Sequence, residues 1–186
     1  MNLSNKLTVL RIFLVPIFIL FLETEKIPNN FLFALIIFII AALTDHFDGK
    51  IARKRHQITD FGKFLDPLAD KILTLSAFMC FIEMNLISAI PVIIIMAREF
   101  AVTSVRLVAA AQNKVIAANN LGKVKTVIQI FSIGIIIFLQ IKPFIYLNSI
   151  ANNLIVIGLV WLCTVITAVS GIVYVKNGWD FIKTAK

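Results

Sequence analysis

With 186 residues, 60% of them hydrophobic, and a mean hydropathy of +0.95, the chain is far more apolar than the roughly 45–50% typical of soluble domains, which excludes a water-soluble globule. A net charge of +8 would suit a nucleic-acid binder. The Lys and Arg residues, however, cluster between apolar runs, where they orient membrane spans and meet anionic headgroups, so no nucleic-acid partner is expected.

In chain order, the first expected span covers residues 5 to 22, with Pro16 placed to kink it. Arg11 interrupts its apolar run and no small-residue cleavage site follows Leu22, so it reads as a retained span rather than a signal peptide. After a polar turn from Glu23 to Asn30, the apolar run Phe31 to Ala42 is too short to cross a bilayer alone and must continue through Asp45 and Asp48 toward Arg53. At about 1.5 Å per residue, Asp45 lies about 21 Å along the axis from Phe31, near the inner edge of a hydrocarbon core about 30 Å thick. The chain turns back over Lys54 to Phe61, and a third span runs from about Leu65 to Phe81. Its start has two readings: Asp66 as N-cap with Pro67 at the first helical position, or Asp60 as cap with Pro67 making an early kink. Both keep Asp66 and Asp70 at one membrane level.

A tight turn over Glu83 to Ser88 leads to span four (Ala89 to Ala111), a polar connection (Gln112 to Lys125), span five (Thr126 to Gln140), a loop (Lys142 to Asn153) and span six (Leu154 to Val175) before a basic tail. Cys80 and Cys163 fall inside apolar runs and read as buried, inert thiols without a disulfide. The expected fold is therefore an all-α integral membrane protein of six transmembrane helices, and residues 1–186 form a single domain because no polar region is long enough to fold alone. Apart from Lys26 and Lys142, the other 16 of the 18 Lys and Arg residues fall on the terminal side or in the inner halves of spans. By the positive-inside rule both termini are cytoplasmic.

Four carboxylates stand out in this apolar setting, where ionised groups are costly and mark function. Asp45 and Asp48 are three apart, and Asp66 and Asp70 four apart, so each pair can share a helix face. Antiparallel helices joined by a short turn would bring the two faces together. Like charges and desolvation oppose ionising all four, and two divalent cations would balance them. An all-oxygen donor set favours Mg²⁺, with Mn²⁺ possible, over thiolate- or imidazole-loving metals. Such a two-metal cluster on the cytoplasmic side can grip phosphates and stabilise both oxygens of a displacement. Gly49, Ala52 and Gly62 leave little bulk beside the acids, suiting either a phosphate's approach or close helix packing. His46 faces away from the carboxylate pair and His56 lies in the turn, so neither is assigned a metal.

The stretch D-x2-D-G-x2-A-R-x8-G-x3-D-x3-D, here Asp45, Asp48, Gly49, Ala52, Arg53, Gly62, Asp66 and Asp70, resembles the motif of the CDP-alcohol phosphatidyltransferases and matches it at every fixed position. The resemblance implies that Asp45, Asp48 and Asp66 hold a metal pair gripping the CDP-diacylglycerol diphosphate, while Asp70 also acts as general base on the acceptor hydroxyl. It also implies CDP-diacylglycerol contacts for Thr8, Arg11, Gly49, Ala52, Arg53 and Gly62, a bacterial cytoplasmic membrane location with lipid neighbours, and a homodimer. Arg11 could equally snorkel to the headgroups.

Asn5 to Arg11, Phe64 to Lys71, Arg98 to Phe100 with Val105 to Ala110, and Gly122 to Thr126 resemble one branch, the phosphatidylglycerophosphate synthases. That branch implies sn-glycerol 3-phosphate as acceptor, with Arg106, Lys123 and Lys125 at the inner ends of spans four and five holding its phosphate, and Arg98 deeper. Each of these cations also reads as an orientation determinant or headgroup contact, Arg98 excepted because of its depth. Glu99, its neighbour, is expected to point elsewhere on the helix. The last span carries almost no diagnostic residues. Competing readings are a sister enzyme taking serine, inositol phosphate or a phosphatidyl lipid, a prenyltransferase with differently spaced Asp pairs, and a cation transporter, which would conduct ions without releasing CMP.

Overall fold

The computed structural model describes the backbone of residues 3–24, 26–55, 60–111, 120–142, 144 and 149–183, and side chains over 8–24, 26–44, 71–106, 109, 121–142, 144 and 150–176. Among these residues the chain is wholly helical, with six long helices and no strand: α1 (Leu3–Glu23), α2 (Asn30–Arg55), α3 (Asp60–Glu83), α4 (Ala89–Ala111), α5 (Asn120–Leu139) and α6 (Ser149–Lys183). Each expected span has its helix. Pro16 sits inside α1 without ending it. The third helix starts at Asp60, so of its two readings the longer stands and Pro67 lies within the helix.

The ends of α5 and α6 also move. The expected polar connection up to Lys125 is shortened, because helix α5 already begins at Asn120. Helix α6 begins at Ser149 and does not stop at Val175: its 35 residues absorb the basic tail as far as Lys183, giving a rod of about 52 Å at 1.5 Å per residue. No Gly or Pro follows Val175 until Gly178 to end the helix earlier.

Within the described residues two helical stretches, Leu121–Leu139 and Ile150–Lys176, are long and apolar enough to cross a membrane, and Asn30–Thr44 is a shorter apolar one. The faces of the helices carry the same message. Phe13, Phe131, Ile150, Leu154 and Ile172 point outward, each more than 60% exposed, while Thr8, Arg11, Glu99, Lys125, Gln129, Ser132, Thr164, Thr167 and Ser170 are buried. Apolar outside and polar inside is the arrangement lipid demands, since only the protein interior can satisfy a polar group there.

The helices sort into two compact units that alternate along the sequence, Met1–Leu86 with Ile133–Asn153, and Ile87–Ser132 with Leu154–Lys186. In the first, α1 packs along both α2 and α3, which meet each other less among the described residues. The buried stripe of α1 is Thr8, Arg11, Val15, Phe18 and Leu22, and that of α2 is Asn30, Ala34, Phe38 and Ala41, both at the three-and-four spacing of a helix face. Ala34, Ala41 and Ala77 are fully buried, and small residues let helix backbones approach closely. Phe18 and Phe38 pack at 5.8 Å between ring centroids, and Phe78 meets Phe81 edge-on at 6.4 Å.

Helix α3 ends in a Schellman turn: the Leu86 N–H donates to Phe81 O at 2.9 Å, the Asn85 N–H donates to Ile82 O at 2.9 Å, and Asn85 takes the left-handed conformation with φ 57°. This is the physical basis of the tight turn expected after Glu83.

In the second unit α4, the first part of α5 and most of α6 present matching stripes. On α4 these are Val92, Ile95, Glu99, Val102, Val105 and Ala109; on α6, Val156, Val160, Cys163, Thr167, Ser170 and Tyr174. Val102, Val105 and Tyr174 form one buried apolar cluster, with Val175 against it. Cys80 and Cys163 are both buried and free, as expected.

Candidate active site

Asp45 and Asp48 lie on helix α2, and Asp66 and Asp70 on helix α3. Helical backbone preserves the three- and four-residue registers expected for each pair, and carboxylates are the hard-oxygen donor type that a divalent cation takes. The side chains of these four residues, and of Gly49, Ala52, Arg53 and Gly62, lie outside the described set. Among the described residues no three His, Cys, Asp or Glu groups gather as metal ligands.

Thr8 and Arg11 are placed one helical turn apart on the inward stripe of α1, at 1% and 2% exposure. The snorkelling alternative for Arg11 is thereby corrected: the guanidinium is held inside the protein. Burying an Arg this fully requires anionic or polar company, which suits a residue committed to a ligand or to its helix neighbours rather than to headgroups.

The second unit holds the remaining cations. Arg98 donates from Nη2 to Ser170 Oγ at 2.8 Å and from Nη1 to Glu99 Oε1 at 3.2 Å; its Nε is buried without a hydrogen-bond partner. Lys125 Nζ donates to the same Glu99 oxygen. The expectation that Glu99 points away from Arg98 is therefore wrong. Neighbouring side chains diverge at Cβ, but both are long enough to turn back along the helix, and Lys125 on α5 draws the carboxylate inward. One chain of side chains, Ser170–Arg98–Glu99–Lys125, thus ties α6 to α4 and α4 to α5. Lys125 is only 6% exposed, so it is no headgroup contact, whereas Lys123 is exposed.

Arg106, also exposed, donates from Nε to the Tyr174 hydroxyl at 3.0 Å, with its guanidinium carbon 5.1 Å from the ring centroid. A buried tyrosine therefore fixes the stem of an exposed arginine by a hydrogen bond and a cation–π contact. With Nε engaged, the Nη1–Nη2 edge is the part of the fork that could take a phosphate in a bidentate contact. Between α5 and α6, Gln129 Nε2 donates to Thr167 Oγ1 at 3.5 Å and Cys163 Sγ to Ser132 Oγ at 3.2 Å.

Helix α6, which looked undiagnostic, supplies the partners of both arginines. Its signal was present as Cys163, Thr167, Ser170 and Tyr174 recurring at helical spacing inside an apolar run, a polar stripe that lipid would not tolerate. Gly171 belongs to that stripe for another reason. A Cβ there would come within 2.5 Å of Arg98 Cγ, so only glycine lets the arginine stem pass.

The motif, the helical frame and the cation set converge with what the chain is similar to. The family model for CDP-alcohol phosphatidyltransferase matches residues 1–174. A Bacillus subtilis (strain 168) protein, CDP-diacylglycerol--glycerol-3-phosphate 3-phosphatidyltransferase, is 41% identical over 99% of this chain and 98% of its own length. A Rickettsia bellii (strain RML369-C) protein of the same name is 34% identical over 94% of each chain. The "Probable phosphatidylglycerophosphate synthase" of Mycobacterium tuberculosis (strain ATCC 25618 / H37Rv) is 39% identical over 73% of this chain and 66% of its own. This chain belongs to the CDP-alcohol phosphatidyltransferase family.

Proposed function

We propose that the protein transfers the phosphatidyl group of CDP-diacylglycerol to sn-glycerol 3-phosphate, releasing CMP and forming phosphatidylglycerophosphate. The observation that carries this reading is 41% identity across 99% of the chain to a relative named for that reaction. The basic set Arg98, Arg106, Lys123 and Lys125 supports the acceptor, because a second phosphate needs cations that an uncharged acceptor would not.

In this reading Asp45, Asp48, Asp66 and Asp70 hold two divalent cations, Mg²⁺ or Mn²⁺. When bound, these supply charge neutralisation at the diphosphate and at the developing oxyanions. Thr8, Arg11, Gly49, Ala52, Arg53 and Gly62 seat CDP-diacylglycerol. Asp70 takes the proton of the acceptor hydroxyl, for which it must come within about 3 Å of that oxygen. The oxygen then forms a bond to the phosphorus bearing diacylglycerol as the bond from that phosphorus to the CMP oxygen breaks. Arg53 screens the charge on departing CMP. Arg106, aligned by Tyr174, and Lys123 bind the acceptor phosphate from the exposed side, with Lys125 and Arg98 behind them.

The six helices span a bacterial cytoplasmic membrane, with both termini and the site on the cytoplasmic side. The concentration of Lys and Arg at the terminal side supports this orientation. A homodimer is expected from the family resemblance.

The test is to incubate the purified protein with CDP-diacylglycerol and each acceptor in turn, and to follow CMP. Release with sn-glycerol 3-phosphate, lost on chelation and restored by Mg²⁺, is the expected result. Release with serine but not with sn-glycerol 3-phosphate would overturn the acceptor, and ion flux in liposomes without CMP formation would overturn the enzyme.

A further inference from the structure

Glu99 is an anomaly by its position. It occupies the middle of the buried stripe of α4, between Ile95 and Val102, and is 8% exposed. A carboxylate taken out of water there is costly unless cations compensate it. Two do: Arg98, its chain neighbour, and Lys125, 26 residues on, both meeting Oε1. Without the carboxylate, two like charges would share that space and repel.

Arg98 is fixed a second time by Ser170 and threaded past Gly171. Lys125 sits on a flexible four-carbon stem whose ammonium is a point charge with three rotatable donors. An ammonium that must meet a phosphate binds it better when already placed, because the ordering cost has been met beforehand.

We infer that Glu99 is a positioning residue of the acceptor site: its carboxylate, braced by Arg98 and through it by Ser170, holds the Lys125 ammonium where the acceptor phosphate binds. This rests on the proposed reaction and adds a residue to it. Glu99 itself, being an anion, does not touch the phosphate. Its effect is passed on by Lys125.

The experiment compares KM and kcat for both substrates in the full-length protein, Glu99→Gln, Glu99→Asp, Lys125→Met and the Glu99→Gln/Lys125→Met double variant. Glu99→Gln is expected to raise KM for sn-glycerol 3-phosphate about tenfold, roughly 1.4 kcal/mol, while KM for CDP-diacylglycerol stays within about twofold. Glu99→Asp, with the charge kept on a shorter arm, should recover most of that loss. In the Lys125→Met background Glu99→Gln should add nothing, because the residue it acts through is gone. An equal shift for both substrates, no shift, or effects of Glu99→Gln and Lys125→Met that multiply would each overturn the inference. Should Glu99→Gln fail to fold, Glu99→Asp carries the test alone: an acceptor KM raised about threefold supports the inference and an unchanged one overturns it. If the parent protein releases no CMP with sn-glycerol 3-phosphate, the proposed reaction falls. If it does, and Lys125→Met raises the acceptor KM but Glu99→Gln does not, only the role of Glu99 falls.

Discussion

Adding one methyl group at Gly171 tests the α4–α6 packing at its tightest point. The new Cβ would stand 2.5 Å from Arg98 Cγ, 3.4 Å from its Nε and 3.5 Å from its Cδ. The last two are ordinary contacts, so the clash falls on Cγ, an atom near the backbone that cannot swing clear without carrying the guanidinium along. Relief needs a shift of about 1 Å, either of the Arg98 stem or of the two helices apart. The first stretches the bonds to Ser170, now 2.8 Å, and to Glu99, now 3.2 Å; bonds to charged groups are worth about 1.5–3 kcal/mol each. The second loosens the Val102–Val105–Tyr174 cluster, and overpacking of this kind costs about 1–3 kcal/mol. Against either stands about 1 kcal/mol of improved helix propensity for Ala over Gly. The cheaper relief sets the cost, so Gly171→Ala should destabilise the protein by up to about 2 kcal/mol net, read by reversible unfolding in mixed micelles followed by circular dichroism. In an Arg98→Ala background the stem is gone, and the same substitution should be neutral or slightly stabilising. An equal effect in both backgrounds, or a net stabilisation of the parent, would refute the argument.

Other consequences can be checked with the same protein. Tyr174→Phe keeps the ring under Arg106 but removes the acceptor of its Nε bond, so KM for sn-glycerol 3-phosphate should rise about threefold, and Arg106→Ala should raise it at least about tenfold. Equal effects on CDP-diacylglycerol would remove Arg106 from the acceptor site. Asp70→Asn should abolish CMP release while Mn²⁺ binding, followed by electron paramagnetic resonance, partly survives; turnover within about tenfold of the parent would exclude Asp70 as the base. At the end of α3, Asn85→Gly should change stability by less than about 0.5 kcal/mol, whereas Asn85→Val, forcing a β-branched residue into φ 57°, should cost about 1–2 kcal/mol in the unfolding assay.

The amino-acid sequence by itself determined the helices and the family. Hydropathic runs, turn residues and the spacing from Asp45 to Asp70 are properties of neighbouring residues along one chain. Span four was therefore expected over Ala89 to Ala111, where α4 lies, and the aspartate motif needed no structure to be read. Ends set by weak local signals moved instead: α5 reaches back to Asn120 and α6 runs on to Lys183, since a helix continues until something in the chain or its packing stops it. Only the tertiary structure decided how charges are shared inside. Glu99 seemed to point away from Arg98 because the sequence carries no information on which helix faces it, and Lys125 supplied the reason for it to turn inward. Ser170, Gly171 and Tyr174 looked like ordinary residues of an apolar span until α6 was set against α4, some 70 residues away in the chain. A buried charge is stabilised by whatever lies across the interface, and that partner is chosen by packing, not by sequence proximity.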